Sequence, residues 1–393
     1  VDAAALLARP LATIDEVAAA EWNALDLGGV PFVRHEFLAA LEHTGCVGDG
    51  TGWRPRHVVV RRGARLAGAM PLYEKRHSWG EFVFDFGWAQ AYSRNGLEYY
   101  PKLVAATPFT PATGPRLLVA PGEDVAGVRA ALLGAARELG RSLGASSLHL
   151  QFVTPGEADW LAAHGLLGRI DCQFHWQNHG YADFEAFLGT FTAEKRKKAK
   201  RERRRVEEAG ISFEMRRGDE LDAREWRTVH RLHADTFRRH GHDPYLSLAF
   251  FGVVSRTLPG QPLVLLARQA GDIVATAIFF QGADTLYGRY WGADGAYHSL
   301  HFEACYHQGI EYCIAHGLAR FEPGTQGEHK LARGFAPAFT HSAHEIRDPR
   351  FAQAIARFLD EERAAVRAYA ADAGQHVPFR RTQDLVLGAP DSE

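Results

Sequence analysis

The 393-residue sequence has little of several things. Cysteine occurs four times, at Cys46, Cys172, Cys305 and Cys313, with no Cys-x-x-Cys spacing. That excludes a zinc framework and a disulfide scaffold, and the thiols are expected to be reduced, as in the cytoplasm. No run of 18 apolar residues occurs, so no membrane-spanning helix is expected. Neither sign of charge is in excess: 45 Lys and Arg stand against 47 Asp and Glu, for a net charge of −2. The whole chain therefore has no general electrostatic hold on nucleic acid or anionic membrane, and any such hold must be local. Asp2, Arg9, Asp15 and Glu16 interrupt the apolar residues up to Ala20, which is not the pattern of a secretory leader. Disorder is excluded by 46% hydrophobic and 23% charged residues, an ordinary globular balance. At about 150 residues per domain, the length predicts two domains.

What is present is a repeated αβ grammar. Residues 56–62 are rich in valine, Gly63 turns the chain, and residues 65–73 alternate, which is a hairpin signal. Residues 81–86 (EFVFDF) read as a third strand. Later, residues 263–268, 273–281 and 285–291 read as three strands, with a turn at Ala270-Gly271-Asp272. VVVRRGARLAGAMPL (58–72) overlays LLARQAGDIVATAIF (265–279) at a constant offset of 207. Trp88 and Trp291 end the two third strands. We read two copies of one αβ module, with the boundary in 173–181, giving domains 1–176 and 177–393. Helices are predicted over 123–143, 158–164 and 302–316, the last closed by Gly317. Residues 87–120 form a long aromatic, Pro/Gly-rich segment, and such length points to function.

Three features carry candidate chemistry. The run 194–205 holds nine basic and two acidic residues. Its reading is either a phosphate-contacting helix, with Lys197, Lys198 and Arg201 as anion contacts, or a solvated helix laced by pairs such as Glu194–Lys198 and Arg203–Glu207. On the helix 302–316, Glu303, His307 and Glu311 recur every four residues, a line that can relay a proton or deprotonate an amine. A polar surface stripe is the alternative. In PGTQGEHKLARGF (323–335), Gly324 and Gly327 suggest close approach of backbone to a ligand. There Lys330 is the candidate for a phosphate or developing oxyanion, and Glu328 or His329 for a base. Arg333 is a further anion contact. His341 and His344 resemble half a metal site without a third ligand, so no metal is expected.

Several segments together resemble the FemAB-like predicted N-acyltransferases, described as peptidoglycan biosynthesis or recognition proteins. They are 71–92, 99–116, 173–188, 191–211, 291–314 and 322–335. The resemblance implies two tandem GNAT-like α/β domains, each a mixed twisted sheet flanked by helices. It implies an enzyme that moves an acyl or aminoacyl group to an amine, with a cell-wall precursor such as a muropeptide as acceptor. It implies Lys330, in KLARGF, at the transfer site; Glu303, His307 or Glu311 is our expected base. Tyr99, Tyr100 and Lys102 are expected to shape the acceptor cleft. No cofactor is expected to be tightly bound; acyl-CoA or aminoacyl-tRNA is the co-substrate, with tRNA meeting residues 194–205. The GNAT pyrophosphate turn is missing from GADGAYHSLH (292–301), which puts acyl-CoA in doubt. The alternative function is a non-catalytic module that recognises muropeptide or RNA.

Overall fold

The computed structural model describes residues 5–325 and 327–380. Asp2 of the N-terminal reading, Gln326 of the 323–335 segment and residues 381–393 of the second domain lie outside them. Two compact units form. One holds the chain up to Asp171 together with Thr340–Ala365; the other holds Cys172–Phe339 and the chain from Val366. The division is therefore not contiguous in sequence. No helix among the described residues is long and apolar enough to cross a membrane.

The first unit contains β1 (Leu6–Pro10), β2 (Trp53–Pro55), β3 (Val58–Arg62), β4 (Arg65–Met70), β5 (Leu72–Lys75), β6 (Lys102–Ala105), β7 (Leu118–Val119) and β8 (Ser147–Val153). One sheet runs β1-β3-β4-β7. In the other, β2, β5 and β6 pair antiparallel, and β8 joins β6 in parallel. A parallel neighbour needs a crossover, and the helix Val125–Ser142 lies on it. Val128, Leu132, Leu133 and Ala136 recur at helical spacing and pack on Val58, Val60, Leu72, Leu103 and Leu148.

Then β9 (Leu167–Gln177) carries the chain onward to β10 (Ile211–Arg217), β11 (Pro262–Gln269), β12 (Asp272–Gln281), β13 (Thr285–Ala293), β14 (Arg320–Glu322) and β15 (Ala336–Ile346). The second unit's strands run β10-β11-β12-β13-β14-β9. Here β13 and β14 are parallel, with a helix over residues 300–315 between them. Phe174, Trp176, Phe187, Phe279, Ile310, Phe321 and Phe335 fill its core. The end of β15 returns to the first unit, where His341–Ile346 pair antiparallel with β8.

The two hairpins match in register, not only in pattern. Val58 faces Met70 and Val60 faces Gly68; Leu265 faces Ala277 and Ala267 faces Ala275. The register then slips between Val60 and Arg61, and between Ala267 and Arg268. A bulge inserts one residue and bends its strand, so the two hairpins share their bend at the offset of 207.

The third strands do not match. Phe279 faces Gly288 on β13, whereas Leu72 faces Ala105 on β6. Residues 81–86 are thus not the third strand, and Trp88 lies on the helix Phe86–Arg94. Gly80 (φ 80°) and Phe82 (φ 59°) are left-handed and break extended backbone. The alternation read there is real but inverted, with Glu81 and Asp85 buried and Phe84 and Phe86 exposed. The segment 87–120 likewise holds that helix, β6 and β7.

At Gly292 on β13, an added Cβ would lie 2.2 Å from the carbonyl carbon of Leu232. Backbone cannot swing aside as a side chain can. Gly292→Ala is expected to lower stability by about 3 kcal/mol. Gly134→Ala, in open space on the helix Val125–Ser142, is expected to raise it by up to about 1 kcal/mol. Urea unfolding midpoints measure both.

Candidate functional site

The helix 300–315 is not uniform. It starts as α at Leu300–Phe302, widens to π over Glu303–His307 and returns to α over Gln308–Ala315. A π segment rotates the face that follows it, and such segments cluster at functional sites. Glu303 and His307 are consequently buried, while Glu311 stays partly exposed. The alternative of a polar surface stripe does not hold for Glu303 and His307, which join a buried network. Glu303 Oε2 is 2.8 Å from His307 Nδ1, and Gln308 Nε2 donates to Glu303 Oε1 at 2.8 Å. Arg203 Nε is 3.2 Å from Glu303 Oε1, and Arg203 Nη2 is 2.8 Å from Glu311 Oε2. Burial works against the Glu303 charge, but His307 and Arg203 outweigh it and hold the carboxyl below its ordinary range.

The segment 323–335 folds as a short 3-10 helix, Glu328–Arg333, between Gly327 (φ 105°) and Gly334 (φ 88°). Lys330 and Arg333 are buried, Glu328 and His329 exposed. Lys330 Nζ donates to the Gly324 carbonyl at 2.5 Å. Burial pulls Lys330 down to about 7, against the opposing pull of the Cys305 thiol. Arg333 Nη2 meets both carboxylate oxygens of Glu202, at 3.0 and 2.8 Å. Arg333 Nη1 donates to the His329 carbonyl at 2.6 Å, and its guanidinium lies 3.5 Å over the Phe302 ring. His329 Nε2 is 2.8 Å from the Tyr306 hydroxyl. Partial burial, Arg333 and Lys330 keep His329 below the usual imidazole range. Glu328 accepts from the Tyr369 hydroxyl at 2.9 Å.

The basic helix spans Ala193–Glu208 and turns Ala199, Glu202 and Val206 inward. The anticipated Glu194–Lys198 and Arg203–Glu207 pairs do not form among the described residues. Glu202 and Arg203 instead supply the site's ion pairs. Lys197, Lys198 and Arg201 face solvent, and none joins an ion pair among the described residues. Sequence reading passed over Glu202, Arg203 and Tyr306 as site residues. The one available signal was Glu202, an acid within a run of bases.

A cleft of about 370 Å³ opens at the end of β13, lined by Thr236, Arg239, Trp291, Tyr297 and His301 among others. Burial, then His329, Arg333 and Lys330, pull His301 down to about 4, so it is neutral near pH 7. Pairing of β13 with β14 covers Thr285–Tyr287 with Arg320–Glu322, and β13 runs on to Ala293 beyond it. Ligands of open α/β sheets bind where parallel strands part at their carboxyl ends.

Tyr99, Tyr100 and Lys102, expected to shape the acceptor cleft, lie in the other unit. Lys102 is wholly buried and donates to Ser78 Oγ at 3.0 Å, Glu81 Oε2 at 2.9 Å and Asp85 Oδ2. Tyr99 is buried, and its hydroxyl donates to Asp85 at 2.6 Å. Tyr100 is half-buried, its hydroxyl 2.8 Å from Ser78 Oγ. These positions fall inside because Lys102 opens β6 and its acids come from the loop before it. Among the described residues, no group of three His, Cys, Asp or Glu is placed to hold a metal.

The family described as peptidoglycan biosynthesis/recognition, FemAB-like, matches residues 13–381. Among solved structures, FemX has a TM-score of 0.50 and 12% identity, covering 82% of this chain and 93% of FemX. L-PGS from Bacillus licheniformis has a TM-score of 0.49 and 11% identity, covering 82% and 92%. A tandem GNAT protein from the clavulanic acid biosynthesis pathway has a TM-score of 0.47 and 16% identity, covering 88% and 99%. No curated protein matches the sequence. These likenesses are of fold. Each unit, an antiparallel meander followed by a helical crossover to a parallel strand, is a GNAT-like domain.

Arg203→Met would leave Glu303 buried without its guanidinium. It is expected to cost about 3 kcal/mol or more. Glu303 has a depressed pKa when folded, so its contribution holds above the unfolded value of 4.5 and fades as pH falls through the folded one. The gap between wild type and variant should therefore narrow in acid, as read by denaturation at pH 7 and pH 3. Reversing Lys197, Lys198 and Arg201 to Glu should leave the melting temperature nearly unchanged.

Proposed function

Because the chain belongs to the FemAB-like family of peptidoglycan biosynthesis/recognition proteins, we propose that it is an N-acyltransferase, moving an acyl or aminoacyl group from an activated donor to an amine. The observation that carries this is Lys330. It is a buried ammonium anchored on the Gly324 carbonyl, and burial brings it to about 7. Perturbed groups of this kind mark functional sites.

Acyl transfer asks for little chemistry. The amine attacks the donor carbonyl, its oxygen gathers negative charge, and the amine sheds a proton. Lys330 as a cation meets that charge in a site poor in water, where such an interaction is strong. His329, neutral and exposed, takes the proton from the amine. Glu303 is less suited to that task, because Arg203 and His307 stabilise its charge. Arg333, held by Glu202 and Phe302, keeps the His329 backbone in place. Both donors expected from the sequence, acyl-CoA and aminoacyl-tRNA, carry adenosine. Trp291 and His301 offer ring faces for a base, and Arg239 offers a charge for phosphate. The exposed Lys197, Lys198 and Arg201 favour the longer phosphate backbone of tRNA. The acceptor is the amine of a cell-wall precursor.

The purified protein should transfer label from acyl-CoA or aminoacyl-tRNA to an amine acceptor, followed by mass spectrometry. Lys330→Ala should lower turnover at least about tenfold, or roughly 1.4 kcal/mol. The wild-type rate should fall above about pH 7 as Lys330 loses its proton. Lys330→Arg, always charged, should remove that alkaline fall. No transfer from either donor would overturn the reading.

A further inference from the structure

His344, which with His341 resembles half a metal site in the sequence, meets a second imidazole instead. The end of β15 pairs antiparallel with β8, and in that register His344 stands directly opposite His149. Directly opposed side chains leave one face of a sheet together. The two rings meet head-on, with His149 Nδ1 2.7 Å from His344 Nδ1. Both are buried. The Trp88 ring lies against the pair, 5.0 Å from His344 and 6.1 Å from His149 between centroids.

The pair belongs to a longer run of hydrogen bonds whose direction is fixed at one end. The Tyr99 hydroxyl donates to Asp85 Oδ2 at 2.6 Å, so toward His149 Nε2, 3.3 Å away, its oxygen accepts. His149 therefore carries its proton on Nε2, which also lies 2.8 Å from Ser147 Oγ, and its Nδ1 is bare. His344 then donates through Nδ1, and its bare Nε2 accepts from Ser342 Oγ at 2.9 Å. From Ser342 through both rings to Asp85, every bond points the same way.

That order needs a bare Nδ1 between the rings. Were both imidazoles doubly protonated, two N–H groups would point at each other and the bond would be lost. Burial disfavours even one charged ring. The charges facing the pair are Asp85, just before the helix Phe86–Arg94, Arg169 on β9, and Lys102 on β6, itself paired with Glu81 and Asp85. Burial, then Lys102 and Arg169, hold His149 down to about 3 against the pull of Asp85. Burial, then His149, Arg169 and Lys102, hold His344 well below the ordinary imidazole range. His341, earlier on β15, has Asp159 near it instead.

We propose that His149 and His344 form an acid-operated clasp: while both rings are neutral they hold residues 340–346 on β8, and when both take up a proton the returning segment, Thr340–Ala365, lifts from the first unit. The topology permits it. β6 pairs with the other edge of β8, so the returning strand can leave without dissolving the sheet. The device belongs to the first unit and does not rest on acyl transfer.

Hydrogen exchange of the full chain between about pH 6.5 and about pH 4.5, corrected for intrinsic exchange, tests it. The clasp's contribution is full above the unfolded imidazole value of 6.5 and fades as pH falls below it. Each proton taken up on opening raises the opening equilibrium by up to about tenfold per pH unit. Opening of residues 340–346 and of the β8 amides they cover should therefore rise by up to about a hundredfold per pH unit, while the hairpin β3–β4 stays protected. His344→Asn keeps a donor for His149 Nδ1 and removes one titrating ring, so about tenfold per pH unit should disappear from that slope. In the wild type, ring-nitrogen NMR should find both imidazoles neutral in the closed state. An opening equilibrium that does not change with pH, a full slope retained in His344→Asn, a charged ring in the closed state, or loss of protection in β3–β4 in step with residues 340–346 would overturn the proposal.

Discussion

The guanidinium of Arg203 joins two carboxylates, Glu303 and Glu311, while its face rests 4.5 Å from the Phe184 ring. The neighbouring residue, Glu202, takes Arg333. Adjacent positions of one helix thus trade opposite charges with two elements far along the chain. A buried guanidinium needs planar, paired acceptors, and these two crossed pairs provide them. The exchange fixes the π segment and the short helix after β14 relative to the basic helix. Among the described residues, it also leaves Lys330 as a cation of the cluster without a carboxylate, donating to the Gly324 carbonyl. Its depressed proton affinity follows from that omission together with burial.

The same scaffold takes two forms. Both hairpins bend at the same bulge, and both units pass through a helix to a parallel strand. In the second unit the strands pair over three residues and β13 runs on past its neighbour. In the first, Lys102 and Lys75 lie under a charged loop. One unit therefore presents open ring-lined space, and the other presents lysines covered by acids of its own chain.

Much of this was legible in the sequence, and the misses have physical causes. Hairpins and helices showed because their apolar periods survive packing, as at Val128, Leu132 and Ala136. Lys330 and Arg333 showed because glycines bracket them. EFVFDF misled because a strand and an inverted loop share the same alternation, and only burial tells which side faces in. The apolar face of the helix 302–316 showed, at Tyr306, Ile310 and Cys313, but the burial of Glu303 and His307 did not, because a π turn breaks the 3.6-residue period without any mark in composition. Arg203 was hidden among like residues; nothing local separates it from Arg204, which faces solvent. Lys102 was noticed, but its acids lie 21 and 17 residues upstream, beyond any local pattern.

The return of residues 340–365 to the first unit has a consequence for how the protein is made. Domains usually fold in the order they leave the ribosome. Here the first unit lacks the strand that pairs with β8, and the helix after it, until residues 340–365 have been synthesised. The edge of β8 from Ser147 to Val153 therefore waits, unpaired by β15, through the translation of Cys172–Phe339. Unpaired strand edges of that kind are where nascent chains stick to one another. The first unit therefore closes only after most of the second has been made.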